Sequence, residues 1–229
     1  MIDLHSHILP GMDDGSESLE MSHAMLKLLQ QQGVELVVAT PHFYAMKDTP
    51  ENFLHRRAEA AAQLQTDENM PRILLGAEVA YFDGMSNSKA LEDLRLGDTK
   101  LLLVEMPFGT WTQRMVKEIC QLPLQAGLRP VLAHVERYRR RDQLPKYKRQ
   151  LLEQGVLLQC NAEAFVDLST RRWSLGQMKQ GNIHFLGSDA HNLTARPPKM
   201  DQAAQIISKK LGSDTFEVLT ELSKEMLQL

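Results

Sequence analysis

Two kinds of apolar run alternate along this chain. The first kind is short and nearly continuous, as in residues 34–39, 73–78, 101–105, 130–134, 156–161 and 183–188, with an opening stretch around residues 2–5. Runs of that length with little polar alternation suit parallel strands covered on both faces. The second kind repeats at helical spacing. Ser16 can cap a helix with Glu17 and Glu20 in its first turn, Met21, Met25, Leu28 and Leu29 as its buried stripe, and Gly33 as its stop. Thr49-Pro50-Glu51 supplies cap, N1 proline and first-turn acid for a second helix through the alanines near position 60. Further helices are expected over 111–122, 147–154 (ended by Gly155) and 175–180, and two more in the last thirty residues. Seven strand-helix units of even length predict an α/β fold whose parallel sheet closes into a seven-stranded, TIM-like barrel, with residues 1–229 forming one domain.

Composition narrows the function classes. The chain has 229 residues, 43% hydrophobic and 24% charged, and a formal net charge of -3. This offers a sizeable core and no basic surface of the kind strong duplex binding needs, so no nucleic-acid partner is expected. No apolar run approaches the roughly 20 residues of a membrane span. His5 and His7 stand where a cleaved leader would be, so a cytoplasmic protein is expected. Cys120 and Cys160 are the two cysteines, and neither has arginine six positions later. That excludes the loop in which cysteine-dependent tyrosine phosphatases bind phosphate.

The candidate chemistry tracks the strands. His5 and His7 are two apart, so an extended chain can aim both at one ion, although such a pair alone is equally consistent with isolated structural histidines. Asp13-Asp14-Gly15 is either a set of hard oxygen donors or an ordinary turn. The pattern becomes informative when the later strands are added, because His42, Glu78, Glu105, His134, Asp189 and His191 all fall at expected strand ends. In barrels of this class sites form at the carboxyl ends of the strands. His23 and His55, on helices, read as solvated; His184 reads as a satisfied core histidine; Glu136 reads as pairing with a neighbouring cation; Arg139-Arg140-Arg141 reads as a solvated loop face. Phe43 and Tyr44 are placed either to stack on an aromatic substrate or to pack beneath the loop.

Asp3-Leu4-His5-Ser6-His7, Thr40-Pro41-His42, Gly76-Ala77-Glu78, Val104-Glu105, Ala133-His134-Val135-Glu136-Arg137-Tyr138 and Gly187-Ser188-Asp189-Ala190-His191-Asn192 resemble, in order, the motifs of the PHP (polymerase and histidinol phosphatase) superfamily. Asp13-Asp14-Gly15, the segment from His134 to Tyr138, and Arg196-Pro197-Pro198 resemble more narrowly its bacterial capsule-associated, manganese-dependent protein-tyrosine phosphatases. The resemblance implies a distorted seven-stranded barrel with three divalent ions. One ion takes His5, His7, Glu78 and Asp189, a second Glu78, Glu105 and His134, and a third Asp14, His42 and His191. Arg137 and Arg196 match the phosphate-binding arginines. Asp14 and Glu105 replace histidines common elsewhere in the superfamily, and oxygen donors favour Mn2+ or Mg2+ over zinc, with iron the rival.

The expected activity is hydrolysis of phosphotyrosine on a bacterial tyrosine kinase of polysaccharide export, through a metal-bridging hydroxide. Six positive charges from three divalent ions against four carboxylates leave room for such a hydroxide and a phosphate dianion. The alternatives are a small-molecule phosphomonoesterase such as one for histidinol phosphate, a phosphodiesterase, and a non-enzymatic metal-stabilised module.

Overall fold

The structure, a computed structural model, describes residues 1–64 and 69–229. Every strand pairing is parallel. Strands β1 (Ile2–Ser6), β2 (Leu36–Ala39) and β4 (Arg72–Leu75) form one ladder, in the order β1-β2-β4. Strands β3 (His42–Phe43), β5 (Glu78–Ala80), β6 (Leu101–Glu105), β7 (Arg129–Leu132), β8 (Leu157–Asn161) and β9 (Phe185–Gly187) form the other, in that order.

The strand expected over 73–78 is therefore divided in two, and the one expected over 34–39 is followed by a further short strand, β3, beyond its expected end. Thr40-Pro41 separates β2 from β3, and Gly76-Ala77 separates β4 from β5. Proline cannot donate to a ladder, and its carbonyl instead accepts from Glu78 at 3.1 Å. Ser6 and Ala190 form a parallel bridge, and the Asp189 N–H donates to the His5 carbonyl at 2.7 Å, so the far end of the six-stranded sheet curls round to β1.

The apolar residues sort into two clusters on either side of the sheet. Leu4, Val38, Leu103, Val131, Leu157 and Phe185 fill the inner side, joined by Leu227 from the last helix. Val37, Leu102, Val104, Leu132, Leu158 and Leu186 face outward against the helices. The alternation within β6 decides the position of the site: Leu101 and Leu103 point inward, and so therefore does Glu105.

The helices are α1 (Leu19–Gln31), α2 (Pro50–Gln63), α3 (Gln113–Gln125), α4 (Leu144–Glu153), α5 (Glu163–Val166), α6 (Leu168–Lys179), α7 (Met200–Leu211) and α8 (Ser213–Leu227). The expected cap and proline of α2 are present at Thr49 and Pro50. The cap of α1 is Ser18 rather than Ser16, because Ser16 is held elsewhere: its N–H donates to the His7 carbonyl at 3.0 Å and its hydroxyl meets that of Ser22 at 2.8 Å. Leu26 joins the buried stripe of α1, while Met21 and Leu28 lie at its edges. α6 begins well before the expected 175, since the Asp167 carboxylate accepts from the Ser169 N–H at 2.8 Å and starts it there.

His184 is hydrogen-bonded as expected, although it is only partly buried rather than in the core. Its Nδ1 accepts the Leu158 N–H at 3.0 Å, and its own N–H donates to the Leu158 carbonyl at 2.9 Å, tying the start of β9 to β8. Burial, with Arg129 nearby, lowers its pKa from 6.5 to about 4. Between those two values the unfolded chain binds the proton and the folded one does not, so this group's contribution to stability is present above pH 6.5 and is lost as pH falls toward 4. Urea unfolding of the wild type and His184→Gln over pH 4–7 should show the variant with the shallower acid loss; parallel pH slopes would refute this account of His184.

Candidate metal centre

All nine candidate ligands meet at the carboxyl end of the parallel strands. Backbone geometry puts them there. Against β2, the register of β1 advances from Asp3↔Val37 to Ser6↔Ala39, one residue more on β1 than on its partner. Such a bulge re-aims side chains. It lets Leu4 enter the inner apolar cluster while the neighbouring His5 reaches the site above it, which strict alternation would forbid. The breaks after β2 and β4 then place His42 and Glu78 side by side, in register across β3 and β5. His134 and Asp189 follow β7 and β9 with φ of 33° and 52°. Left-handed backbone in non-glycine residues is strained, and it concentrates at functional sites.

Two glycines allow the close approach. A Cβ on Gly187 would lie 2.6 Å from the His5 Cβ, and one on Gly15 would lie 2.4 Å from the His7 Cβ. Neither position can carry a side chain without moving a candidate ligand.

Among the side chains, His5 Nε2 and His7 Nε2 face each other at 3.1 Å. His5 Nε2 lies 3.2 Å from Glu78 Oε2 and 3.6 Å from Asp189 Oδ1. Glu78 is surrounded by imidazoles, with His134 Nε2 at 2.9 Å from Oε1, His42 Nδ1 at 3.0 Å from Oε2 and His7 Nε2 at 3.4 Å. Glu105 approaches His134 at 3.4 Å. Asp14 closes the outer side, 3.4 Å from His42 and 3.5 Å from His191, with its side chain 63% exposed.

Burial by itself would raise Glu78 and Asp189 and lower the imidazoles, but mutual attraction overrides it. Glu78 and Asp189 end well below the usual carboxylate range, His134 rises to about 9 beside Glu105 and Glu78, and His7 is raised well above the usual imidazole value by its contacts to Asp13, Asp189 and Glu78. His191 goes the other way, to about 4, through burial and repulsion from His7.

Several of these atoms nevertheless have no hydrogen-bond partner. Glu78 Oε2, Asp189 Oδ1, His42 Nδ1, His134 Nδ1 and His191 Nε2 are all buried without one. Unsatisfied buried polar atoms are rare. Nitrogen and oxygen lone pairs converging on shared points are what divalent cations satisfy, so the residues fit metal ions. Among the described residues, three groups of ligand atoms lie within 4.8 Å of one another: His7, Asp14, His42 and His191; His5, His7 and Asp189; and His42, Glu78 and Glu105.

Polar contacts behind the ligands were only partly legible in the sequence. Asp13, read there as a turn or donor residue, accepts from His7 Nδ1 at 2.6 Å and from the His42 N–H at 2.8 Å. Gln159, absent from the sequence reading, meets His5 Nδ1 at 3.2 Å and accepts the His134 N–H at 2.7 Å. Its signal was available, since Gln159 and Asn161 are polar residues at period two in an otherwise apolar buried strand. Asp3 accepts from the Ser188 N–H and hydroxyl, both at 2.6 Å, and burial pushes it up to about 6. Glu136 accepts the Asn161 N–H at 3.2 Å, and its charge also helps hold the neighbouring Arg137 guanidinium protonated, in line with the expected cation partner.

Asp189 divides its carboxylate. Oδ1 faces His5, His7 and His191, while Oδ2 accepts Arg137 Nη2 at 2.5 Å, Arg196 Nη2 at 2.9 Å and Asn161 Nδ2 at 2.9 Å. The two arginines are thus oriented by a metal-type ligand, with side chains 35% and 34% exposed toward the opening.

Known proteins are similar to this chain in sequence and in fold. The chain is 35% identical to the tyrosine-protein phosphatase CpsB of Streptococcus pneumoniae, over 93% of this chain and 92% of that one. It is 31% identical to the tyrosine-protein phosphatase YwqE of Bacillus subtilis, over 100% of this chain and 92% of the relative. The fold superposes with a TM-score of 0.87 and 29% identity, over 99% and 94% of the two chains, on a solved structure from work on YwqE and CpsB described as unique metal-dependent tyrosine phosphatases. A TatD family hydrolase from Entamoeba histolytica shares the fold alone, at a TM-score of 0.56 and 11% identity. The family model for capsular polysaccharide synthesis, CpsB/CapC, matches residues 1–228. The chain belongs to the CpsB/CapC family of capsular polysaccharide synthesis.

Proposed function

We propose that this protein is a metal-dependent tyrosine-protein phosphatase, a phosphoric monoester hydrolase serving capsular or exopolysaccharide synthesis. The observation that carries the reading is the convergence of nine histidine and carboxylate ligands with Arg137 and Arg196, in a chain whose relatives are tyrosine-protein phosphatases. The finer reading is three divalent ions, with Mn2+ favoured by the oxygen-rich donor set over Mg2+ or iron. His5, His7, Glu78 and Asp189 hold one; Glu78, Glu105 and His134 a second; Asp14, His42 and His191 a third. Counting β2 with β3 and β4 with β5 as interrupted single strands supports a single-domain, seven-stranded barrel of the PHP type. The substrate is a phosphotyrosine-bearing protein, a bacterial tyrosine kinase, in the cytoplasm. Among the described residues no helix is long and apolar enough to cross a membrane.

When bound, the ions supply Lewis acidity at phosphoryl oxygens and lower the pKa of water so that it is nucleophilic near neutral pH. The chain's own residues do the rest. Arg137 and Arg196, pre-oriented by Asp189 Oδ2, turn their remaining N–H groups toward phosphoryl oxygens. Asp13 and Gln159 fix the ring orientations of His7 and His5. Phosphotyrosine makes protonation of the departing oxygen matter less than for an alkyl ester, because its phenolate leaving group has a pKa near 10. Neither cysteine suits nucleophilic catalysis: burial raises the Cys160 thiol well above its usual range, with Glu136 adding to the shift, and burial raises Cys120 also.

Chelation should abolish hydrolysis of a phosphotyrosine peptide and Mn2+ should restore it best; full turnover by protein shown to contain no metal would refute the mechanism. His42→Ala should lower metal content and kcat together. Arg137→Ala and Arg196→Ala should keep their metals, since Asn161 still holds Asp189, yet lose about ten- to a hundred-fold in kcat/KM. Parental rates in both arginine variants would remove the phosphate-clamp assignment. Cys120→Ser and Cys160→Ser should turn over normally, and an inactive, folded, metal-loaded Cys160 variant would point instead to a thiol intermediate.

A further inference from the structure

Phe108 is 53% exposed at the edge of the site, in the loop between β6 and α3. That loop is braced from below. The buried Trp111 donates its indole N–H to the Pro107 carbonyl at 2.8 Å, and the buried Gln143 donates to the carbonyls of Phe108 and Gly109 at 2.7 and 2.9 Å. The Thr110 hydroxyl adds a contact to Asp142 at 2.5 Å. The Phe108 ring lies nearly parallel to the His134 imidazole, at 18° and 5.9 Å between centroids, and 5.7 Å from Tyr138, which packs on Trp111 at 5.1 Å. An apolar ring is thus held in fixed orientation, half open to water, beside a histidine that contacts Glu78 and Glu105. Exposure of that kind on a rigid support suits a surface that a ligand covers.

The other aromatics near the site are differently placed. Phe43 is buried against Phe53 at 5.3 Å, so it packs beneath the loop. Tyr44 is less exposed than Phe108, and the Lys47 ammonium covers its ring at 4.6 Å from the centroid, with His42 at 5.3 Å.

We propose that Phe108 is the platform on which the phenyl ring of phosphotyrosine lies, and hence a specificity-determining residue favouring aryl over alkyl phosphate esters. The inference rests on the tyrosine-phosphatase reading above. A phosphate held between Arg137 and the Glu78, Glu105 and His134 side of the centre brings the ester's ring alongside His134 and onto Phe108. Offset or edge-on aromatic contact then adds to the gain from covering apolar surface. A seryl phosphate has no ring to place there.

The test compares Mn2+-loaded wild type with Phe108→Ala, Phe108→Leu and Phe108→Tyr. Metal content and thermal unfolding are measured first, then kcat/KM on matched phosphotyrosine and phosphoserine peptides, and calorimetric affinity for an aryl and an alkyl phosphonate. The expected result is normal metal content, a fall of about five- to twenty-fold in the ratio of phosphotyrosine to phosphoserine kcat/KM for Ala, an intermediate fall for Leu, and retention of the ratio by Tyr. Selective weakening of the aryl phosphonate should accompany the Ala change. A wild type that discriminates while Phe108→Ala keeps both the same ratio and the same phosphonate affinities would overturn this assignment alone. A wild type that cleaves both peptides equally well would refute the tyrosine specificity and this assignment with it, whereas a metal-loaded wild type that cleaves neither would refute the phosphatase reading itself.

Discussion

The structure depends on a crowd of buried ligand atoms, several of which find no hydrogen-bond partner among the others. Two imidazole nitrogens face each other at 3.1 Å, and Glu78 Oε2 and Asp189 Oδ1 point into the same region without a hydrogen bond. Imidazolium-carboxylate pairing offsets part of the cost, as the raised His7 and His134 and the depressed Glu78 and Asp189 indicate. Isolated buried charges still cost of the order of several kcal/mol each. Divalent cations relieve this by meeting nitrogen and oxygen lone pairs at once and leaving the histidines neutral, which couples folding of the centre to metal binding.

The scaffold holds this arrangement through devices that would be costly elsewhere. The bulge in β1, the interruptions at Thr40-Pro41 and Gly76-Ala77, and the left-handed His134 and Asp189 each break regular strand geometry where a ligand must be aimed. Beneath them the inner apolar cluster around Leu4, Leu103 and Phe185 is continuous and regular. Rigid packing below and irregular backbone above is the usual division between a fold and its site. Asp189 joins the two functions of the centre, since one oxygen belongs with the ligands and the other orients both arginines.

Much of this was legible in the sequence because parallel strands buried on both faces read as unbroken apolar runs, and because all but one of the runs ended on or shortly before a histidine or carboxylate, the run 156–161 ending on Asn161 instead. Eight of the nine candidate ligand positions could be named that way, while Asp14 stood out only in the turn Asp13-Asp14-Gly15 and through the family resemblance. What was not legible required knowledge of neighbours distant in sequence. Gln159 and Asp3 act through contacts to His134, His5 and Ser188, and nothing local to them specifies those partners. Ser16 looked like a helix cap by residue type, but its tertiary contacts to His7 and Ser22 outweighed local capping, which passed to Ser18. The strand breaks were hidden for a related reason, since Thr40-Pro41 reads as a strand end until Glu78 is seen bonding to the Pro41 carbonyl.

The central claim is that the converging atoms exist to bind cations. Diffraction from crystals of the full chain grown with Mn2+, recorded on either side of the manganese absorption edge, tests it most directly. The account predicts three anomalous peaks, one of them bridged to a second by Glu78, all within coordination distance of the nine ligands. Well-ordered side chains with no anomalous peak among them, and imidazole-carboxylate contacts at the distances found here, would contradict it.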